Sequence, residues 1–210
     1  MIQNRKSTYI LLVIVVVVTT FSLMSLTSAF IAEESQDDSE IQRILEYLSL
    51  AEEALLDGEP TETGELLRQA MLAQWSITPL KIENLLHVNR EPSFYGDVSL
   101  RDSEQYSPGD VLHLYFEPHY YSIQEQDDIY SMHLTVDVKL ILEDGTIALH
   151  NPKFIDYAIE GTQPNFGFYM NMRFNLSSGI PPGDHNVVIE LTDHLSEEKT
   201  TAQILFDFEH

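Results

Sequence analysis

The sequence predicts a mainly β protein, in which an antiparallel β-sandwich follows an α-helical hairpin and an N-terminal membrane or signal helix. Three observations predict this order. Residues 1–32 hold a basic start and a long uncharged stretch, residues 39–79 repeat apolar side chains at helical spacing, and residues 80–210 repeat them at every second position. Residues 33–38, between the first two segments, are acidic and polar and are predicted to be a linker.

The N-terminal segment has the pattern of an export signal. Arg5 and Lys6 precede an apolar run, and no further charge occurs before Glu33. One interpretation is a signal peptide that is cleaved after Ala29. The other is an anchor, because residues 9–32 supply the roughly 20 residues that a helix needs to span a bilayer. Both interpretations place the remaining chain outside the cytoplasm, since the basic start stays inside.

Composition excludes several kinds of partner and site. The formal net charge is −23, which repels nucleic-acid phosphates, so no nucleic-acid partner is expected. The chain has no cysteine, which excludes a disulfide framework and a thiolate metal site. No cofactor is expected.

Two amphipathic helices follow the linker. Ser39 is the predicted N-cap of the first, and Gly58 is predicted to end it. Thr61 is the predicted N-cap of the second. The predicted apolar stripes consist of Ile41, Ile44, Leu45, Leu48, Ala51, Ala54 and Leu55, then Leu66, Leu67, Ala70, Met71 and Trp75. The hairpin resembles a single tetratricopeptide-type repeat, which cannot bury its apolar face alone. It is therefore expected to lie on the β domain, a membrane or a partner.

From residue 80 onward the apolar period is two. The longest run predicts a strand over Tyr130–Leu142, with Val136 facing the core and Thr135 facing water. A turn at Glu143–Thr146 predicts a hairpin. The other predicted strands are Ile82–Val88, Phe94–Leu100, Val111–Phe116, Ile147–Leu149, Phe166–Leu176, Val187–Leu191 and Ala202–Phe208. Seven or eight short strands separated by turns indicate a sandwich.

Two proline-glycine turns carry a family resemblance. Ser107-Pro108-Gly109-Asp110 precedes one predicted strand, and Pro181-Pro182-Gly183-Asp184 precedes another. A turn, an alternating strand, a polar loop and a last strand resemble the end of immunoglobulin-like and fibronectin-like modules. His185 stands where such modules often have a tyrosine. The whole layout resembles exported microbial proteins with a helical hairpin before one such sandwich, which implies a fold and an extracytoplasmic setting.

The segment between the third and fourth predicted strands is the candidate binding loop. Loops on rigid scaffolds commonly carry binding residues. Tyrosines here would form an aromatic surface together with Tyr130, and the aspartates have the hard oxygens that calcium prefers. A solvated acidic loop is the simpler interpretation, because the EF-hand pattern is absent. The candidate binding residues are Glu117, His119, Tyr120, Tyr121, Asp127 and Asp128.

Two weaker candidates remain. His113 and His133 would share a wet face if their strands lie in one sheet, and with Asp137 they would suit zinc or copper. Their spacing matches no metal motif, so surface histidines are the favoured interpretation and no metal site is predicted. Asn175 begins an Asn-Leu-Ser triplet, which is a glycosylation acceptor pattern.

No nucleophile, zinc-protease or phosphate-loop motif occurs in the chain. The sequence therefore favours a non-enzymatic protein, exported or anchored, that works in protein interaction or structural support at the cell surface. One alternative is a small-ligand or divalent-metal-binding module. The other is a hydrolase whose site has no recognisable motif.

Overall fold

The computed structural model describes residues 38–209, which divide into two compact units, one ending at Ile77 and the other beginning at Thr78. The predicted export segment, the cut after Ala29 and residues 33–37 lie outside the described residues. Two helices followed by a mostly β unit are confirmed. Within residues 38–209, no helix is long and apolar enough to cross a membrane.

The first helix, α1, runs from residue 38, where the described part begins, to residue 56. Since residue 38 is already helical, the prediction of Ser39 as N-cap is wrong. Gly58 ends the helix as predicted, with φ +80°. The Gly58 amide donates to the Leu55 carbonyl at 3.2 Å and the Glu59 amide to that of Ala54 at 2.9 Å. Together these bonds form a Schellman cap.

The second helix, α2, spans Pro60–Ser76, and Glu59 is its N-cap. The predicted cap Thr61 therefore lies inside the first turn. Pro60 decides this start, because its fixed φ suits the first helical position and its missing amide needs no partner there. The Thr63 hydroxyl donates to the Glu59 carbonyl at 2.9 Å and closes the first turn.

Small residues occupy the buried positions of the hairpin. Ala51, Ala54, Ala70 and Ala73 are buried, together with Thr63 and Trp75. Ala51 and Ala54 of the predicted α1 stripe are therefore buried, whereas most of the large side chains of that stripe stay on the surface. Ile41, Leu45, Leu48 and Leu55 are 43%, 54%, 45% and 62% exposed; these four residues are called the leucine stripe.

The β unit has nine strands in the described part of the chain. A three-stranded sheet has the order β1-β3-β7, and a six-stranded sheet has the order β2-β9-β8-β5-β4 with β6 also paired to β5. The strands are β1 (Lys81–Val88), β2 (Gln105–Tyr106), β3 (Val111–His119), β4 (Gln124–Gln126), β5 (Ile129–Ile141), β6 (Ile147–Gly161), β7 (Met170–Asn175), β8 (Gly183–Asp193) and β9 (Lys199–Phe208).

The prediction of a purely antiparallel arrangement is wrong. Residues of β2 pair in parallel with the end of β9, so the larger sheet is mixed. The two strands are separated by most of the β unit in sequence, and only strands joined by a tight turn are obliged to run antiparallel. All other strand pairings in the described residues are antiparallel.

The long alternating strand is confirmed as β5, which β6 flanks on one side and β8 on the other. Val136 is fully buried, as predicted. The prediction that Thr135 faces water is wrong, because this side chain is only 3% exposed. Its hydroxyl lies 2.9 Å from Nε2 of His194, a residue just past β8 whose ring covers this part of the outer face.

The predicted strands Phe94–Leu100, Phe166–Leu176 and Ile147–Leu149 differ most from the structure. Phe94–Leu100 is not a strand: the Asp97 amide donates to the Phe94 carbonyl at 3.1 Å, and Gly96 has φ +79°, so the chain turns there. The predicted Phe166–Leu176 strand begins only at Met170. Conversely, β6 continues twelve residues beyond Leu149, passing Pro152 at a register shift with β5. Prolines are tolerated at such irregularities.

Contacts at both edges join the two sheets of the β unit. On one edge His87 of β1 lies 2.8 Å from the Leu205 carbonyl of β9 and 3.0 Å from the Tyr106 hydroxyl. On the other, Phe154 of β6 stacks on Phe174 of β7 with ring centroids 5.4 Å apart. The fully buried side chains of both sheets, such as Leu114, Leu134 and Ile189, form the core.

His185 lies at the start of β8, where the resembled modules often have a tyrosine. Its ring is buried, and Nε2 lies 2.7 Å from the Pro181 carbonyl four residues upstream. The Glu143 amide donates to Nδ1 at 3.2 Å. The two contacts together require the neutral imidazole with its proton on Nε2. The histidine thus ties this turn to the backbone upstream, as a tyrosine does in that corner.

Candidate functional site

The predicted binding segment is not one loop. Glu117 and His119 belong to β3, which extends three residues beyond its predicted end, and Asp127 and Asp128 form the turn between β4 and β5. Tyr120, at the end of β3, has φ +60°. The exposed-loop interpretation is therefore wrong for Glu117 and His119, which lie in a strand, whereas Asp127 and Asp128 do lie in an exposed turn. The role of these residues in binding stays a prediction.

Glu117 is the centre of a polar cluster on the outer face of the three-stranded sheet. Its side chain is only 6% exposed. One carboxylate oxygen accepts from the Tyr115 hydroxyl at 2.5 Å, and the other accepts from Asn84 Nδ2 at 2.7 Å. The Tyr95 hydroxyl and His119 Nε2 lie 3.4 and 3.5 Å from that second oxygen. A buried carboxylate normally needs such partners.

The charge of Glu117 is set by two opposing effects. Burial raises the pKa of this carboxyl, but hydrogen bonds from Tyr115, Asn84 and His119 outweigh burial and hold the pKa below its usual range. Burial and the bond to Glu117 raise the pKa of Tyr115. Glu117 is therefore an ionised acceptor at neutral pH, and its partners are all donors.

The cluster holds two irregular segments against β3. Asn84 has φ +50° and lies where β1 slips in register against β3. The Gly96 amide donates to the Tyr115 hydroxyl at 3.1 Å, which fixes the turn after Phe94. Glu117 thus orders a bulge and a turn by its hydrogen bonds. All of the hydrogen bonds named here are to other residues of the β unit, so the cluster is suited to stabilise the fold.

The tyrosines do not form one aromatic surface. Tyr121 is fully buried, and its hydroxyl donates to the Asn165 carbonyl at 2.5 Å. Tyr130 is also buried, while Tyr120 is half-buried beside His119, with ring centroids 5.9 Å apart. The aromatic recognition surface predicted from all three is therefore wrong.

The aspartate pair has a conformational role. Asp127 and Asp128 have φ values of +53° and +62° and join Gln126 to Ile129, which is a two-residue hairpin turn. Aspartate is among the residues that favour these backbone angles. Residues 38–209 contain no group of three His, Asp or Glu side chains placed to hold a metal ion.

The histidines considered as a pair are far apart in the topology. His113 is on β3 in the three-stranded sheet and His133 is on β5 in the six-stranded sheet, so a shared wet face is wrong. Asp137 instead accepts from the Lys153 amide at 2.8 Å.

A different histidine cluster occurs on β5, which sequence reasoning missed. His133 Nε2 lies 2.7 Å from Asp156 Oδ1, and the His133 ring stacks on His194 with centroids 4.4 Å apart. The hydrogen bond from His133 lowers the pKa of Asp156. Alternation placed His133 on the outer face, but nothing in the sequence showed that β6 and the loop after β8 bring the other two residues there.

Asn175 is the last residue of β7 and is exposed. An acceptor asparagine at a strand end is accessible to a modifying enzyme, so its glycosylation stays a prediction. The predicted cleavage point at Ala29 lies outside the described residues.

An apolar concave feature lies between the two sheets of the β unit. It is an apolar cavity of about 330 Å³ that residues of β3, β5, β6, β7, β8 and β9 line. Its buried end is formed by Leu112, Val138, Val187 and Phe206, and half-exposed residues such as Leu149 and Ile180 lie at its mouth. Sequence alternation predicted these side chains as core but not the space between them.

No family model and no curated protein matches this chain. Solved structures similar to it include the DNA glycosylase AlkC of Pseudomonas fluorescens, at 14% identity and a TM-score of 0.37 over 78% of this chain and 42% of that one. A PKD domain of an M14-like peptidase from a Thermoplasmatales archaeon is similar at 8% identity and a TM-score of 0.34 over 63% and 94%. A family 123 glycoside hydrolase of Clostridium perfringens is similar at 13% identity and a TM-score of 0.39 over 63% and 28%. The chain thus spans less than half of the glycosylase, and these likenesses assign neither family nor activity.

Proposed function

We propose that this chain is an exported, non-enzymatic interaction protein that consists of a helical hairpin and an immunoglobulin-like β unit, and whose hairpin binds a protein at the outer face of the membrane. The observation that carries the proposal is the leucine stripe of α1. Four large apolar side chains at positions 41, 45, 48 and 55 follow one side of the helix and remain exposed. Exposed apolar side chains grouped on one side of a helix are typical of an interaction site.

The charge of the hairpin restricts the partner. Between residues 38 and 77 the chain has nine acidic residues and two basic ones, and both arginines bond to glutamates one turn away, Arg43 to Glu40 and Arg68 to Glu65. Anionic lipid would be repelled by this surface. The stripe therefore suits a protein with an apolar groove rimmed by lysine or arginine, into which a helix lays its apolar side.

Photo-crosslinking in the native host tests this proposal. A benzophenone amino acid replaces Leu48 in the leucine stripe, and a matched variant carries it at Glu46, which is exposed on the same helix but outside the stripe. We expect position 48, and not position 46, to crosslink to a second protein with a basic-rimmed groove. The yield should fall when Leu45→Asp is added or when the salt concentration is raised, because salt screens exposed charges.

Two outcomes would contradict the proposal. Crosslinks from position 48 that join only residues of the same chain would show that the stripe docks on this chain's own β unit. Equal crosslinking from positions 46 and 48 would show non-specific contact.

A further inference from the structure

The cavity between the two sheets has the size of a ligand site. Its volume of about 330 Å³ lies at the lower end of the range of small-molecule pockets. Well-packed interiors have few voids larger than a water molecule. Apolar cavities of about 150 Å³, less than half this volume, are known to bind benzene or xenon. A partly open apolar cavity of this volume is therefore large enough to hold a small apolar molecule.

The lining of the cavity restricts the chemistry of its ligand. The buried end is entirely aliphatic and aromatic, formed by Leu112, Val138, Val187 and Phe206. The polar residues of the lining are Arg173 and Asn175, both on the edge strand β7 and both exposed.

Arg173 does not bring its charge into the cavity. On β7, Arg173 alternates with Met172 and Phe174 and therefore lies on the opposite face of the strand. Met172 is buried, and Phe174 stacks on Phe154. On its own face Arg173 is paired with His113 of β3. The pKa of His113 is lowered, first by burial and then by the charge of Arg173, which agrees with that placement. A carboxylate in the cavity would be left without a cationic partner, and buried unpaired charge is strongly unfavourable.

We infer that this cavity binds a neutral apolar molecule, an uncharged alkyl chain or hydrocarbon ring, which enters between β6 and β7 past Leu149. The strand β7 is an edge of its sheet and β6 pairs only with β5, so the entry lies between two strand edges. This inference concerns the β unit alone and is independent of the partner proposed for the hairpin.

Site-directed alkylation of the full chain tests the inference, since the chain has no cysteine of its own. Leu149→Cys places one thiol at the mouth, and Leu205→Cys places one on an exposed part of β9 that does not line the cavity. Each variant reacts with N-octylmaleimide, with a maleimide whose chain of equal length ends in a carboxylate, and with N-methylmaleimide.

The measured quantity is the octyl-to-methyl ratio, the rate of reaction with N-octylmaleimide divided by the rate with N-methylmaleimide. We expect this ratio to be at least about tenfold higher at position 149 than at position 205, because the octyl chain occupies the cavity before the thiol reacts. The carboxylate-ended chain should lose this enhancement at position 149. Added decanol should compete and bring the two ratios together. Any membrane or detergent present changes both positions alike, so the comparison between them remains valid.

Equal octyl-to-methyl ratios at the two positions would overturn the inference. A second variant, Val187→Phe in the Leu149→Cys background, fills the buried end of the cavity. It should keep the circular dichroism spectrum and lose the enhancement; a folded variant that keeps the enhancement would show that the chain binds outside the cavity. If this variant fails to fold, decanol competition decides, and enhancement that decanol does not reduce also overturns the inference.

Discussion

His87 joins the two sheets of the β unit through both of its ring nitrogens. The Leu205 carbonyl only accepts, so Nε2 carries the proton, and Nδ1 accepts from the Tyr106 hydroxyl. Burial lowers the pKa of His87, outweighing the bond to the Leu205 carbonyl, and burial also raises the pKa of Tyr106 to about 12. The neutral imidazole is therefore the form that the folded chain prefers.

The His87 link should make part of the stability depend on pH. A histidine whose pKa is lowered on folding contributes stability above its unfolded pKa of about 6.5, and this is lost as the pH falls through the folded pKa. We expect His87→Gln to lower the free energy of unfolding by about 1 kcal/mol at pH 8. The difference between wild type and variant, from urea titrations at pH 8, 7, 6 and 5, should shrink as the pH falls. A difference that grows toward pH 5 would contradict the assigned tautomer.

The hydrogen bonds of Glu117 should contribute to the stability of the β unit. Glu117→Gln replaces one accepting oxygen by an NH₂ group that faces the donors of Tyr115 or Asn84. A lost hydrogen bond to a charged group lowers stability by about 1.5–3 kcal/mol. Glu83→Gln, at the position opposite on β1, is the control and should change stability by less than about 0.5 kcal/mol. Equal effects in urea unfolding would show that the Glu117 bonds are not structural.

Substitution by alanine should change the stability of the helical hairpin in opposite directions at two of its glycines. Gly58 holds the left-handed conformation that ends α1, with φ +80°, whereas Gly64 lies inside α2 with open space around it. Gly58→Ala should destabilise the helices by about 1 kcal/mol, and Gly64→Ala should stabilise them by up to about 1 kcal/mol. Thermal unfolding followed at 222 nm measures both. Shifts of the same sign would contradict the assigned cap.

A charge introduced at the centre of the larger sheet should destabilise the β unit far more than one introduced on its surface. Val136 on β5 is fully buried and Leu205 on β9 is 57% exposed, so the same change to aspartate tests burial. Val136→Asp should lower the free energy of unfolding by several kcal/mol, because a buried carboxylate without a partner must shift its pKa or unfold its surroundings. Leu205→Asp should be mild. Similar midpoints in denaturant would show that the register of β5 is wrong.

The predicted export segment leads to a test of where the chain is located. A basic start before a long uncharged stretch predicts that residues 33–210 lie outside the cytoplasm. Protease added to intact cells should therefore digest this part of the chain, while a cytoplasmic protein used as the control stays intact. Full protection of residues 33–210 would contradict export. N-terminal sequencing of the mature protein then distinguishes a cut after Ala29 from an intact anchor.

The features that depend on neighbouring residues along the chain can be predicted from the amino-acid sequence. Gly58 ends α1 because a left-handed residue is needed after the last turn. The period of two predicts β5 and β8 because buried and less buried residues alternate along much of each strand. The prediction that Thr61 caps α2 is wrong, because Pro60 favours the first helical position and marks the start of the helix. The prediction of a strand at Phe94–Leu100 is also wrong, because Gly96 turns the chain there.

Tertiary structure alone decided the parallel pairing of β2 with β9, the burial of Thr135, the donors around Glu117 and the cavity. Each depends on residues far apart in sequence: Tyr106 pairs with Phe208, and Thr135 meets His194. The alternation of apolar and polar residues predicts which face of a strand is buried in the core. It does not predict whether another strand or loop covers the outer face. The sequence therefore predicts that Thr135 faces water and that Glu117 lies in an exposed loop, although a residue after β8 covers the first and the turn after β1 covers the second.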